Sequence, residues 1–125
     1  MTFLNLPSSV PAVRALVRRV TAVWGYETQF IEDAELVASE LTANAVLHAQ
    51  DDCDRLDVRL KPAHQRLRIE VADAGSYLPH QKSPDFAAER GRGLPLVEAL
   101  CGRWGVVLET PGGKTVWAEL VTSEP

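Results

Sequence analysis

Glu40, Asn44 and His48 recur every four residues within ELVASELTANAVLHAQ, residues 35–50. On a helix turning ~100° per residue, that spacing stacks the three side chains on successive turns. The same wheel places Leu36, Val37, Leu41, Ala45 and Leu47 on one broad apolar face with the polar triple in its middle. Glu32, Glu35, Ser39 and Thr42 fall on the outer side. A carboxylate and an amide among Leu and Val must be hydrogen-bonded, coordinate an ion or line a polar cavity, because burying them unpartnered is expensive. A ligand site meets that requirement. Internally satisfied core polars meet it as well, and the wheel alone does not separate the two.

Two glycine-bearing stretches offer chemistry of a matching kind. Asp73-Ala74-Gly75 ends an apolar-alternating run, and Gly91-Arg92-Gly93-Leu94 opens a helical pattern of Leu96, Val97, Leu100 and Trp104. Glycines that open a helix bring backbone N–H groups and the positive end of the helix dipole up to an anion. A GxG taken alone reads equally as a flexible loop end.

The elements that must position these residues follow from composition and period. The 125 residues, 46% hydrophobic, suit one domain spanning 1–125 with its own core. A net charge of −4 argues against general nucleic-acid binding, although arginines cluster at Arg14, Arg18 and Arg19 and again at Arg90 and Arg92. Cys53 and Cys101 show no metal-binding spacing and read as reduced thiols. With no leader-like opening and no apolar run near the ~20 residues of a membrane span, a cytoplasmic protein without membrane contact is expected.

Thr2 to Leu6 reads as a short edge strand, followed by Ser8 and Ser9 as a helix cap and Pro11 in the first turn. Val13, Leu16, Val17, Val20, Val23 and Trp24 then repeat at helical spacing up to a stop at Gly25, with Arg14, Arg18 and Thr21 opposite. After the Glu40 helix the period becomes two. Leu56, Val58 and Leu60 alternate with charges, as do Leu67, Ile69 and Val71, and Pro62 to Gln65 turn between them. Residues 76–90 form a long loop of the kind that serves as a lid or binding loop. After the third helix and its stop at Gly105, strands from Val106 to Thr110 and from Thr115 to Val121 close the chain. Helices running between hairpin-paired strands predict an α/β fold, a two-layer sandwich on a mixed, largely antiparallel sheet.

In this order, three pieces resemble the GHKL family, the ATPase domains of gyrase-type topoisomerases, heat-shock chaperones and histidine kinases. Glu40-x-x-x-Asn44-Ala45-x-x-His48 resembles its N box, Asp73-x-Gly75 its first glycine box, and Gly91-x-Gly93-Leu94 its second. SELTANAVLHA, GRGLPLVEAL and GGKTVW look most like the bacterial anti-sigma-factor serine/threonine kinase branch. The resemblance covers nearly the whole chain and implies the ATP-binding sandwich known as the Bergerat fold.

It also implies roles. Asn44 would hold Mg²⁺ through its amide oxygen, and Glu40, one turn earlier, would act as general base on the hydroxyl of water or of a protein serine. Asp73 would accept a hydrogen bond from the adenine amino group, Gly75 would let the backbone approach the ring, and Thr115 would join through a hydroxyl or a water. Gly91, Gly93 and Leu94 would wrap the phosphates, with Arg90 or Arg92 adding charge. His48 would bond a backbone group. The implied partners are a sigma factor and a small antagonist protein bearing the serine, with a homodimer as the common assembly and no nucleic acid. Where many members continue the first glycine box as D-x-G-x-G, this chain has Tyr77. Adenine recognition is therefore implied more firmly than tight closure over the triphosphate, and a nucleotide-gated binding module with weak catalysis is the alternative.

Overall fold

The computed structural model describes residues 1–47, 55–73, 94–108 and 113–122. Along the chain run β1 (Thr2–Leu4), α1 (Ser9–Val23), α2 (Thr28–Leu47), β2 (Arg55–Ala63), β3 (Arg66–Asp73), α3 (Pro95–Leu100), β4 (Arg103–Leu108) and β5 (Lys114–Val121). The strands form one sheet in the order β1-β2-β3-β5-β4, and every described pairing is antiparallel. The predicted α/β architecture is borne out.

Alternation dictates which way the sheet faces. Leu56, Val58, Leu67, Ile69, Val71, Val116, Ala118 and Leu120 are buried toward the helices, and the residues between them are charged apart from Trp117. Gln65, at φ 58, takes the left-handed conformation that closes the turn between β2 and β3. The strand runs further than expected, since Pro62 and Ala63 still pair with Leu67 and Arg66. Pairing with β1 covers only Arg55 to Asp57, so Pro62 has no second strand beside it among the described pairings. Such an edge position tolerates a residue without an N–H.

The helix faces differ from a single-stripe wheel. On α1 the buried stripe is Ser9, Val13, Val17 and Thr21. Thr21, expected outside, donates its hydroxyl to the Val17 carbonyl at 2.6 Å, whereas Val23 and Trp24, expected inside, are exposed. Gly25, at φ 88, does end the segment as expected. On α2, which begins seven residues before Glu35, the buried arc is wide: Phe30, Ile31, Ala34, Glu35, Val37, Ala38, Leu41, Thr42, Asn44 and Ala45. The reason is that α2 packs on α1 on one side and on β3, β5 and α3 on the other. Glu35 and Thr42 are thus buried and not outer, and Leu36 and Leu47 are exposed and not inner. Burial of Glu35 is tolerated because Arg18 on α1 reaches its carboxylate at 2.6 Å.

The third helix is only six residues long. Trp104 and Gly105, expected at its end, lie within β4, where Trp104 pairs with Ala118 and Gly105 with Trp117. No helix among the described residues is long and apolar enough to cross a membrane.

The sheet's outer face carries a charge ladder. Glu119 accepts from Arg66, Arg68 and Arg103 at 3.2, 3.2 and 3.0 Å, and Glu70 accepts from Arg68 at 2.6 Å and Lys61 at 3.3 Å. The Arg68 guanidinium lies 4.1 Å from the ring centre of Trp117.

Candidate nucleotide site

Glu40 and Asn44 sit one turn apart on α2. They occupy the edge of its buried arc and not its middle: Asn44 is buried and Glu40 half-buried, with exposed Leu36, Ala43 and Leu47 beyond. That edge suits chemistry better than the centre would. An amide just inside the layer is held in place by its neighbours, and a carboxylate at the rim remains within reach of a second molecule.

Asp73 ends β3, the middle strand of five, and is only 3% exposed. It shares the phase of Ile69 and Val71, so it stands on the helix-facing side, the side on which α2 packs. Strand pairing brings Lys114 directly opposite it. Thr115 pairs with Ala72, which puts it in phase with Trp117 and Glu119 on the other face, half-buried. Leu94 is 3% exposed and belongs to the hydrophobic core, next to Val97 at the start of α3. Gly75, Gly91, Arg92, Gly93 and His48 lie outside the described residues.

Sequence reading passed over Lys114. Its signal was phase, for Lys114 has the inward parity of Val116, Ala118 and Leu120, where a charged residue is unexpected. Asn44 supplies a hard amide oxygen of the type that Mg²⁺ accepts, with the Glu40 carboxylate one turn away, so the donors present fit such an ion. Among the described residues no group of three or more His, Cys, Asp or Glu gathers as a metal cage.

Among the described residues, helices layered on one face of an antiparallel sheet, a carboxylate and an amide one turn apart on the helix against it, and a buried aspartate ending the middle strand define an α/β sandwich of the ATP-binding class. The chain belongs to the histidine kinase-like ATPase domain family, whose profile it matches over residues 3–120. It is similar to the serine-protein kinase RsbW of Bacillus velezensis, with 33% identity over 124 residues that cover 88% of this chain and 76% of the relative. The corresponding kinases of Bacillus licheniformis and Bacillus subtilis are 35% and 32% identical, each over 108 residues covering 75% of this chain and 68% of theirs.

Proposed function

We propose that this chain is, as a single cytoplasmic domain, an ATP-dependent serine-protein kinase of the anti-sigma type: it binds Mg·ATP, sequesters a sigma factor and phosphorylates a serine on an antagonist protein. The observation that carries the reading is the pair on α2, a rim carboxylate at Glu40 one turn before the buried amide of Asn44, in a chain of the histidine kinase-like ATPase family. Similarity to serine-protein kinases over most of the chain supports the same substrate class.

In this mechanism Asp73 accepts a hydrogen bond from the adenine amino group and fixes the base at the end of β3. Asn44 holds Mg²⁺ through its side-chain oxygen, and the ion, when bound, neutralises charge on the triphosphate. Gly91 and Gly93 offer backbone N–H groups to the phosphates and Arg92 adds charge. Glu40 takes the hydroxyl proton of the incoming serine. The serine oxygen bonds to the γ-phosphorus, the bond from that phosphorus to the bridging oxygen breaks, and ADP departs with the electron pair. The half-exposed position of Glu40 leaves room for a macromolecular hydroxyl.

The test is single-turnover transfer from labelled ATP to a serine-bearing antagonist, beside ATP calorimetry. Glu40→Ala should lower transfer by about 10²–10⁴-fold and leave ATP affinity nearly intact, and Asn44→Ala should damage both. Transfer that survives Glu40→Ala unchanged would refute the proposed base. ATP binding with no transfer in the wild type would favour the nucleotide-gated binding module.

A further inference from the structure

We propose that Lys114 is a positioning residue of the nucleotide site, which supplies the counter-charge for the Asp73 carboxylate and fixes its direction toward the base; this rests on the ATP-binding reading above. Lys114 is 1% exposed and is the largest of the fully buried side chains among the described residues. Its Cα partner across the β3–β5 ladder is Asp73, itself 3% exposed.

The helix-facing positions of the described sheet are otherwise uncharged. They are Phe3 on β1, Leu56, Val58, Leu60 and Pro62 on β2, Leu67, Ile69 and Val71 on β3, Trp104, Val106 and Leu108 on β4, and Val116, Ala118 and Leu120 on β5. The two charges on that face therefore have opposite sign and stand directly across from one another. Opposite residues of an antiparallel pair hold their Cβ atoms ~4.5–5.5 Å apart, close enough for strong coupling in a buried setting. On α2, the helix packed against this face, Glu32 is exposed, Glu35 is buried and paired with Arg18, and Asp33 and Glu40 are half-buried.

A buried carboxylate that must present an oxygen to a neutral amino donor needs its charge balanced without the base itself supplying the balance. A lysine one strand away does that and keeps the carboxylate from turning. Thr115, facing the other side of the sheet, does not occupy this position.

A double-mutant cycle of ATP calorimetry tests the assignment, on wild type, Lys114→Met, Asp73→Asn and the double variant, with thermal unfolding to confirm folding. Lys114→Met should weaken ATP binding about tenfold or more, and in the Asp73→Asn background the same change should cost about twofold or less. If Lys114→Met does not fold, Lys114→Gln, which keeps a donor but not the charge, enters the same cycle. An equal loss in both backgrounds, or no loss in either, overturns the proposal. If Asp73→Asn weakens ATP and Lys114→Met does not, only the role of Lys114 falls; if Asp73→Asn itself is silent, the nucleotide reading falls with it.

Discussion

Gly105 on β4 and Trp117 on β5 are directly paired, and the indole lies so close over the glycine that a Cβ there would stand 2.8 Å from the ring edge. The ring is in turn covered by Arg68 at 4.1 Å, and that arginine is anchored by Glu70 and Glu119. Gly105→Ala must therefore displace the indole and disturb its cover, which should cost about 1–3 kcal/mol. Denaturant unfolding of this variant beside Trp117→Phe checks it: once the indole is replaced, the alanine should cost clearly less.

If Asp73 reads the base as proposed, ATP should be strongly preferred over GTP, which presents a carbonyl at the ring position where adenine has its amino group. The carboxylate and that carbonyl would meet as two acceptors, and a lost charge-assisted hydrogen bond is worth ~1.5–3 kcal/mol. Competition of GTP against labelled ATP gives the number; equal affinity for the two nucleotides removes Asp73 from base recognition.

Between α1 and α2, the Arg18–Glu35 pair at 2.6 Å joins an exposed arginine to a carboxylate only 11% exposed. Removal of Arg18 strands that carboxylate near the helix interface, but water at the arginine end screens the loss. Arg18→Met should destabilise by about 1 kcal/mol, and Arg14→Met, on the same exposed side of α1, by much less. Chemical unfolding at low and high salt should show the Arg18 effect shrinking as salt rises.

Acid should weaken the outer ladder first. Burial pushes the Glu119 carboxyl up, but hydrogen bonds and charge from Arg103, Arg68 and Arg66 outweigh it and hold it below the usual glutamate range. Glu70 behaves likewise, with burial opposed and overcome by Arg68 and Lys61. A depressed folded-state value gives stability that is complete above the unfolded value, ~4.3 for glutamate, and lost as pH falls through the folded one. Stability followed by urea unfolding from pH 7 to 3 should thus hold to about pH 5 and then drop, and Glu119→Gln should flatten the drop.

Burial, followed by the nearby Asp33 charge, pushes the Cys101 thiol up to about 12. In a Cys53→Ser background the native protein should resist alkylation at pH 8, and reagent should be consumed once denaturant is added. Rapid native labelling would show that Cys101 is accessible as thiolate.

Much of this was legible because local period and burial agree. The alternation of Leu56, Val58, Ile69 and Val71 with polar residues marks one face as apolar, and all four are at most 2% exposed. The helix bearing Glu40 and Asn44 was expected as well, and both residues lie on α2. What failed depended on neighbours that a single wheel cannot contain. Thr21, Glu35 and Thr42 are buried because two helices pack on each other, giving α2 a second inner side. Trp104 fits a helical spacing as readily as a strand, and only its pairing with Ala118 decides. The register that sets Lys114 opposite Asp73, and Thr115 opposite Ala72, could not be read from the motif alone.

The strand order has a consequence for how this molecule comes into being. Sequence-adjacent β2–β3 and β4–β5 each zip locally, but Asp73 and Lys114 meet only when β3 of the first hairpin docks on β5 of the second. That junction joins residues from 41 (Asp73 and Lys114) to 55 (Arg66 and Val121) positions apart, a slow, non-local closure of the kind that governs folding rate. If ATP binds across both strands as proposed, it binds only molecules in which this junction has closed, and it stabilises them by mass action.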